Sequence, residues 1–308
     1  MTDTMPLSWI KALRNAGTRQ SLLVPLENHL VAVNKALPEE DRRSDQKIQD
    51  VLEKIKIWDS EVDRMFRGEI AEIVDPSDVP CAHTEAGIAH LLGLRHRTAN
   101  AFVLSPTGKT ICQRRAHNKR FGMFLSIYGG HVKMPQTYEE AMREELKEEL
   151  GLADDPAGEM QFIGKELYEV PGDLNVEFRA LFLYRLTPVE YQHVRQNQQA
   201  LDAIKQERTS TGYKSWLEEQ QGTRHGHGEV WSVYEIDTGQ LIDAPCENIF
   251  VTDLARNAEL HYLMVGDRFQ DQQTVVDEKA FFTPDLLDRA IRNRAVCKEL
   301  LAAGGHSQ

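Results

Sequence analysis

Residues 130–152 read GHVKMPQTYEEAMREELKEELGL, and the reading of this stretch decides the fold. A helix is expected from about Thr137 to Leu150, with Gly151 where a left-handed C-terminal cap belongs. Met142, Leu146 and Leu150 make an apolar stripe that can be buried, while Glu145, Glu148 and Glu149 emerge together on one face. Like charges at that spacing repel, so the face calls for a cation or a basic partner. A hard divalent ion with oxygen ligands would suit it. Taken alone, the helix fits a solvated charged surface at least as well.

The flanks read as alternating strands and turns. ANAFVLS (99–105), KTICQRR (109–115) and MFLSIYGGHV (123–132) are strand-like, with a turn signal at PTG (106–108) and a basic loop at 116–122. FIGKELYEV (162–170) and NVEFRALFLYRL (175–186) follow as strands, joined by a Pro-Gly-Asp turn. A polar stretch over 188–228 is expected to be largely helical, and HGEVWSVYEI (227–236) closes the set as a last strand. The N-terminal residues 6–72 carry helical spacing, broken at LPEEDRRSDQ (37–46) and at VDPSDVP (74–80). Near the end, TPDLL (283–287) starts a capped helix. The expected division is a helical N-terminal region (1–92), a catalytic-sized domain (93–248, with 188–228 inserted) and a C-terminal extension (249–308). Strands around one acidic helix make the class α+β.

Composition sets outer bounds. The 308 residues are 41% hydrophobic and 27% charged, with a formal charge of −12. That balance argues against a protein that clamps a nucleic-acid polymer through Lys and Arg. A small phosphorylated ligand stays open, because bound metal reverses the field of a carboxylate cluster. Cys81, Cys112, Cys246 and Cys297 show no zinc-type spacing, and no apolar run reaches membrane-spanning length. Reduced thiols and a cytoplasmic location are expected.

The 130–152 stretch resembles the Nudix box, G-x5-E-x7-R-E-U-x-E-E-x-G-U with U a bulky aliphatic residue. Gly130, Glu145, Leu146, Glu148, Glu149, Gly151 and Leu152 all fall in register. The resemblance covers roughly residues 95–240 and implies a Nudix-type α/β/α sandwich with a mixed sheet. It implies hydrolysis of a nucleoside diphosphate linked to another group, with magnesium or manganese held by Glu145, Glu148, Glu149 and the Gly130 carbonyl. Glu229 is the candidate further ligand and Glu177 the second choice. Arg97, Arg114, Arg115 and His131 are candidates for holding substrate, although at least one of the adjacent strand arginines faces solvent. His225 and His227 fit a polar loop better than a ligand role. The family also implies a homodimer.

Two box positions depart from the pattern. Gln136 stands at the first glutamate and Glu144 at the arginine, with Arg143 displaced by one residue. A helix turns about 100° per residue, so Arg143 points away from the place the family's arginine would take. The departures motivate a second reading, a sensor that binds a nucleotide derivative without turning it over. His96-Arg97, Arg114-Arg115 and Asn118-Lys119 also resemble isopentenyl diphosphate isomerases. Those enzymes need a cysteine where this chain has Ile127–His131, which disfavours that chemistry. RNA decapping is a weaker option, given the acidic balance.

Overall fold

The computed structural model describes residues 7–59, 62, 65, 66, 68–115, 125–153, 155–169, 175–207 and 230–236. The basic loop at 116–122, residues 208–229 with His225, His227 and Glu229, and the C-terminal extension with its expected helix lie outside the described residues. Among those described, helices and a mixed sheet make an α+β fold. Two compact units are present, each built from three stretches of chain: 1–99 with 130–142 and 164–180, and 100–129 with 143–163 and 181–308.

The first unit begins with three helices, α1 (Leu7–Arg14), α2 (Ala16–Ala36) and α3 (Asp45–Ile57). Asn15 caps α2 by accepting from Gly17 N, and Ser44 caps α3 by accepting from Lys47 N. Ile48, Val51, Leu52 and Ile55 recur on the buried side of α3 at helical spacing. They join Leu26, Leu30 and Val33 of α2 in one apolar core with Phe66, Ile73, Ile88 and Leu91. Burial of that many aliphatic side chains, each worth roughly 1.5–3 kcal/mol, holds the helices to the strands that follow.

Those strands correct the expected helical reading up to residue 72. Ile70–Val74 (β1) and Pro80–Glu85 (β2) form an antiparallel hairpin, with Ile70 opposite Glu85 and Ile73 opposite Ala82. VDPSDVP is its turn: Asp75 Oδ1 accepts from Ser77 N at 2.8 Å and Val79 N at 2.9 Å. A short helix, α4 (Ala86–Leu92), leads through Gly93 (φ 65°) into β3 (Arg95–Leu104). β3 meets β1 at Ile73 and His96.

In the second unit β3 returns through the PTG turn into β4 (Thr110–Arg115), pairing Val103 with Ile111. β4 also pairs with β5 (Leu125–Ser126) and with β9 (Val230–Ile236), Gln113 facing both Ser126 and Val233. The sheet is completed by β6 (Tyr128–His131), β7 (Glu159–Glu169) and β8 (Val176–Arg185). Two helices complete the set, α5 (Tyr138–Leu150) between β6 and β7 and α6 (Pro188–Glu207) after β8. Gly151 takes the expected left-handed conformation, φ 66°. Gly158 donates its N–H to the Tyr184 hydroxyl at 2.8 Å. A β-carbon there would overlap the Arg185 carbonyl and lie 2.5 Å from Tyr184 Cζ. Gly158→Ala is therefore expected to cost about 2 kcal/mol, read as a lowered urea midpoint with an unchanged slope.

Candidate functional site

Helix α5 starts on a reciprocal cap. Thr137 Oγ1 accepts from Glu140 N at 3.2 Å, and Glu140 Oε2 accepts from Thr137 N at 2.7 Å. Met142, Leu146 and Leu150 are buried as the stripe requires. The next positions round the helix are acidic: Glu145 and Glu149 are only 8% and 9% exposed, while Glu148 is open to solvent. Burying two carboxylates one turn apart is costly unless donors or a cation compensate.

In the second unit Glu149 is fixed by two donors. Gln113 Nε2 reaches Oε1 at 2.9 Å, and Gly129 N reaches Oε2 at 3.0 Å. Gln113 also donates to the Ile127 carbonyl at 3.0 Å, which ties β4 to the start of the box loop. The φ of Gly129, 148°, suits glycine and turns its N–H toward the helix. These bonds orient the carboxylate, whose oxygens each carry a second lone pair. Tyr128 is buried beside it, its phenol held well above the usual range by burial first and then by the neighbouring Cys112 and Glu149. Arg143 donates to the Pro156 carbonyl at 3.1 Å. Arg115 is half-buried on β4; the Arg114 side chain lies outside the described residues.

The other expected site residues that the structure describes fall in the first unit. Gln136 closes its own loop, accepting from Lys133 N at 3.1 Å. Arg97 is engaged by acids: Nη1 meets Glu72 at 2.6 Å and Nε meets Asp78 at 2.6 Å, with Nη2 on the Asp78 carbonyl. Asp78 also takes the Lys165 ammonium and the Tyr138 hydroxyl. Gly130 precedes His131 on β6. Glu177, buried on β8, accepts from Arg179 Nε at 2.7 Å and Thr98 Oγ1 at 3.2 Å, and Asn175 Nδ2 also donates to it.

His131 stands in a group that sequence reasoning missed. His90, at the end of α4, and His96, on β3, bring their rings within 5.3 Å of it, centroid to centroid. One metal-binding atom from each of the three lies within 4.8 Å of the others. Burial, followed by the neighbouring His131, pushes His96 down to about 4 and leaves it neutral at pH 7. A pair of histidines flanking the Leu-Leu-Gly-Leu helix stop was the available signal, but the third partner is remote in sequence.

The chain carries a match to the family model for the NUDIX domain over residues 94–223. It is similar to an uncharacterized Nudix hydrolase of Nostoc sp., 35% identical over 40% of this chain and 63% of the relative. A second uncharacterized Nudix hydrolase, from Streptomyces coelicolor, is 34% identical over 33% of this chain and 56% of its own length. An isopentenyl-diphosphate Delta-isomerase of Burkholderia multivorans is 35% identical over 26% of this chain and 47% of its own. The chain thus spans about half to two thirds of the curated relatives it matches.

Proposed function

We propose that this chain hydrolyses the diphosphate linkage of a nucleoside diphosphate derivative, with Glu145, Glu148 and Glu149 of α5 holding a divalent ion, magnesium or manganese. The observation that carries the reading is Glu149, aimed by Gln113 and Gly129 beside two further carboxylates on the same helix. The donor set is all oxygen and all anionic, which fits a hard cation. Such an ion would supply positive charge to the phosphate oxygens and make water more acidic. Glu149 is held still by its donors, Glu148 reaches solvent where substrate would arrive, and Arg115, half-buried on β4, would meet a phosphate. One of the glutamates assists as base.

Names of two similar proteins support hydrolysis, and a third names isomerisation. Cys112 argues against the latter, since burial pushes its thiol up to about 12. A cytoplasmic setting agrees with the free thiols of Cys81 and Cys112, and no described helix is long and apolar enough to cross a membrane. The proposal includes a homodimer, to be read by sedimentation. The decisive test is a panel of nucleoside triphosphates, nucleotide sugars, dinucleoside polyphosphates and NAD-like dinucleotides with magnesium or manganese, resolved by chromatography. Hydrolysis products from at least one class are expected. Ligand-induced rise in melting temperature without any product would replace the enzyme by a sensor.

A further inference from the structure

We infer that Gln113 sets which divalent ion the acidic face of α5 prefers. It does so by fixing Glu149 in one geometry, which serves a small ion such as magnesium or manganese and disfavours calcium. This preference belongs to the site proposed above and presupposes Glu145, Glu148 and Glu149 as the ion's ligands. Gln113, Ile127, Gly129 and Glu149 all lie within the second unit.

Gln113 is 2% exposed, and its amide nitrogen serves two acceptors. One is the Ile127 carbonyl at 3.0 Å and the other Glu149 Oε1 at 2.9 Å. A carbonyl and a carboxylate can only accept, so the amide must present its nitrogen here and both of its hydrogens are committed. The backbone has little freedom either, since position 113 is paired with Ser126 of β5 and with Val233 of β9. Gln198 Oε1 in turn holds the Val233 N–H at 2.7 Å. The second donor to Glu149, Gly129 N at 3.0 Å from Oε2, is main chain.

Each Glu149 oxygen therefore accepts one N–H and keeps at most one lone pair for an ion. Turning the carboxylate moves both oxygens at once and breaks one of those bonds, and Gln113 cannot follow without leaving Ile127. Magnesium demands a near-ideal octahedron at about 2.0–2.1 Å and gains from ligands set in advance. Calcium gathers about 6–8 oxygens at about 2.3–2.6 Å, often two from one carboxylate, and depends on side chains that adjust. A carboxylate clamped at both oxygens suits the first ion better than the second. Gln113 is thus a positioning residue that acts on the ion through its ligand.

The test reads ion binding in the absence of substrate. The full chain, freed of any affinity tag and stripped with a chelator, is titrated with manganese by electron paramagnetic resonance and then competed with calcium. The relevant site is the one lost in Glu148→Gln. In the parent, manganese should be held well ahead of calcium. Gln113→Met, close in volume but without a donor, should weaken manganese roughly ten- to a hundred-fold and leave calcium nearly as it was. Gln113→Asn, whose shorter amide cannot reach both acceptors, should move the preference the same way, and it decides the matter if circular dichroism shows the methionine variant unfolded. Gln198→Ala loosens the same strand without touching the carboxylate and should leave the preference unchanged. Equal weakening of both ions in a folded Gln113 variant, as a merely structural role predicts, overturns the proposal while leaving the metal site standing. So does a parent that holds calcium as tightly as manganese, or a shift in Gln198→Ala as large as that in Gln113→Met. If no manganese site is lost in Glu148→Gln, α5 is not the metal site and the proposal falls with that reading.

Discussion

Glu148→Gln is expected to lower kcat by about a thousand-fold while leaving the melting temperature within about one degree of the parent. The magnitude is that of removing one charged or dipolar group aimed at a phosphate in flight, about 10² to 10³. Glu148 is solvent-exposed on α5, so an isosteric amide changes charge without disturbing packing. Raising magnesium should recover part of the loss, because one fewer carboxylate weakens ion binding first. Glu149→Gln tests the neighbouring position differently. Its amide NH₂ would face either Gln113 Nε2 or the Gly129 N–H, donor against donor, so stability should fall along with rate. Steady-state rates over a magnesium series, with melting curves for both variants, check this. A Glu148→Gln protein within tenfold of the parent at every magnesium concentration would remove Glu148 from the machinery.

The largest expected effect on stability comes from Glu190→Ala, about 4 kcal/mol. Glu190 lies at the start of α6 and gathers five donors. Oε1 accepts from the Tyr184 hydroxyl at 2.7 Å, Ala157 N at 2.9 Å and Gly158 N at 3.2 Å. Oε2 accepts from Thr187 N at 2.8 Å and Thr187 Oγ1 at 2.9 Å, while Thr187 Oγ1 takes the Glu190 N–H in return. Truncation strands several of these groups in a site 9% exposed, at roughly 1–3 kcal/mol each, with water recovering part. Burial alone would raise the carboxyl, but the Tyr184 and Thr187 hydrogen bonds outweigh it and hold it below the usual range. A depressed folded-state value means the contribution is present above the ordinary glutamate range and disappears as pH falls through the lowered one. The gap between parent and Glu190→Gln in urea midpoint should accordingly be wide at pH 7 and close in acid. A gap that stays constant down to acid would show that charge plays no part.

The box helix was legible in sequence because its information is local: a threonine–glutamate cap, an apolar stripe and a terminating glycine all lie within about four turns. The hairpin of β1 and β2 was not, because IAEIV is buried along nearly its whole length and so lacks the alternation that marks a half-exposed strand. Arg97 shows the limit of a motif: its guanidinium engages Asp78 and Glu72, partners that nothing in the local pattern announces. His90 and His96 sat close together in the sequence, yet the ring that completes their group arrives some 35 residues later through β6.

Hairpin tips ordinarily tolerate added or deleted residues, since little depends on their length. The tip between β1 and β2 is different. Asp78, at φ 62°, anchors a guanidinium, an ammonium and a phenol drawn from three other parts of the chain. Lengthening that loop by one residue would withdraw the anchor from all three at once, so natural variation in this tip should be confined to side chains other than Asp75 and Asp78, with its residue count held constant.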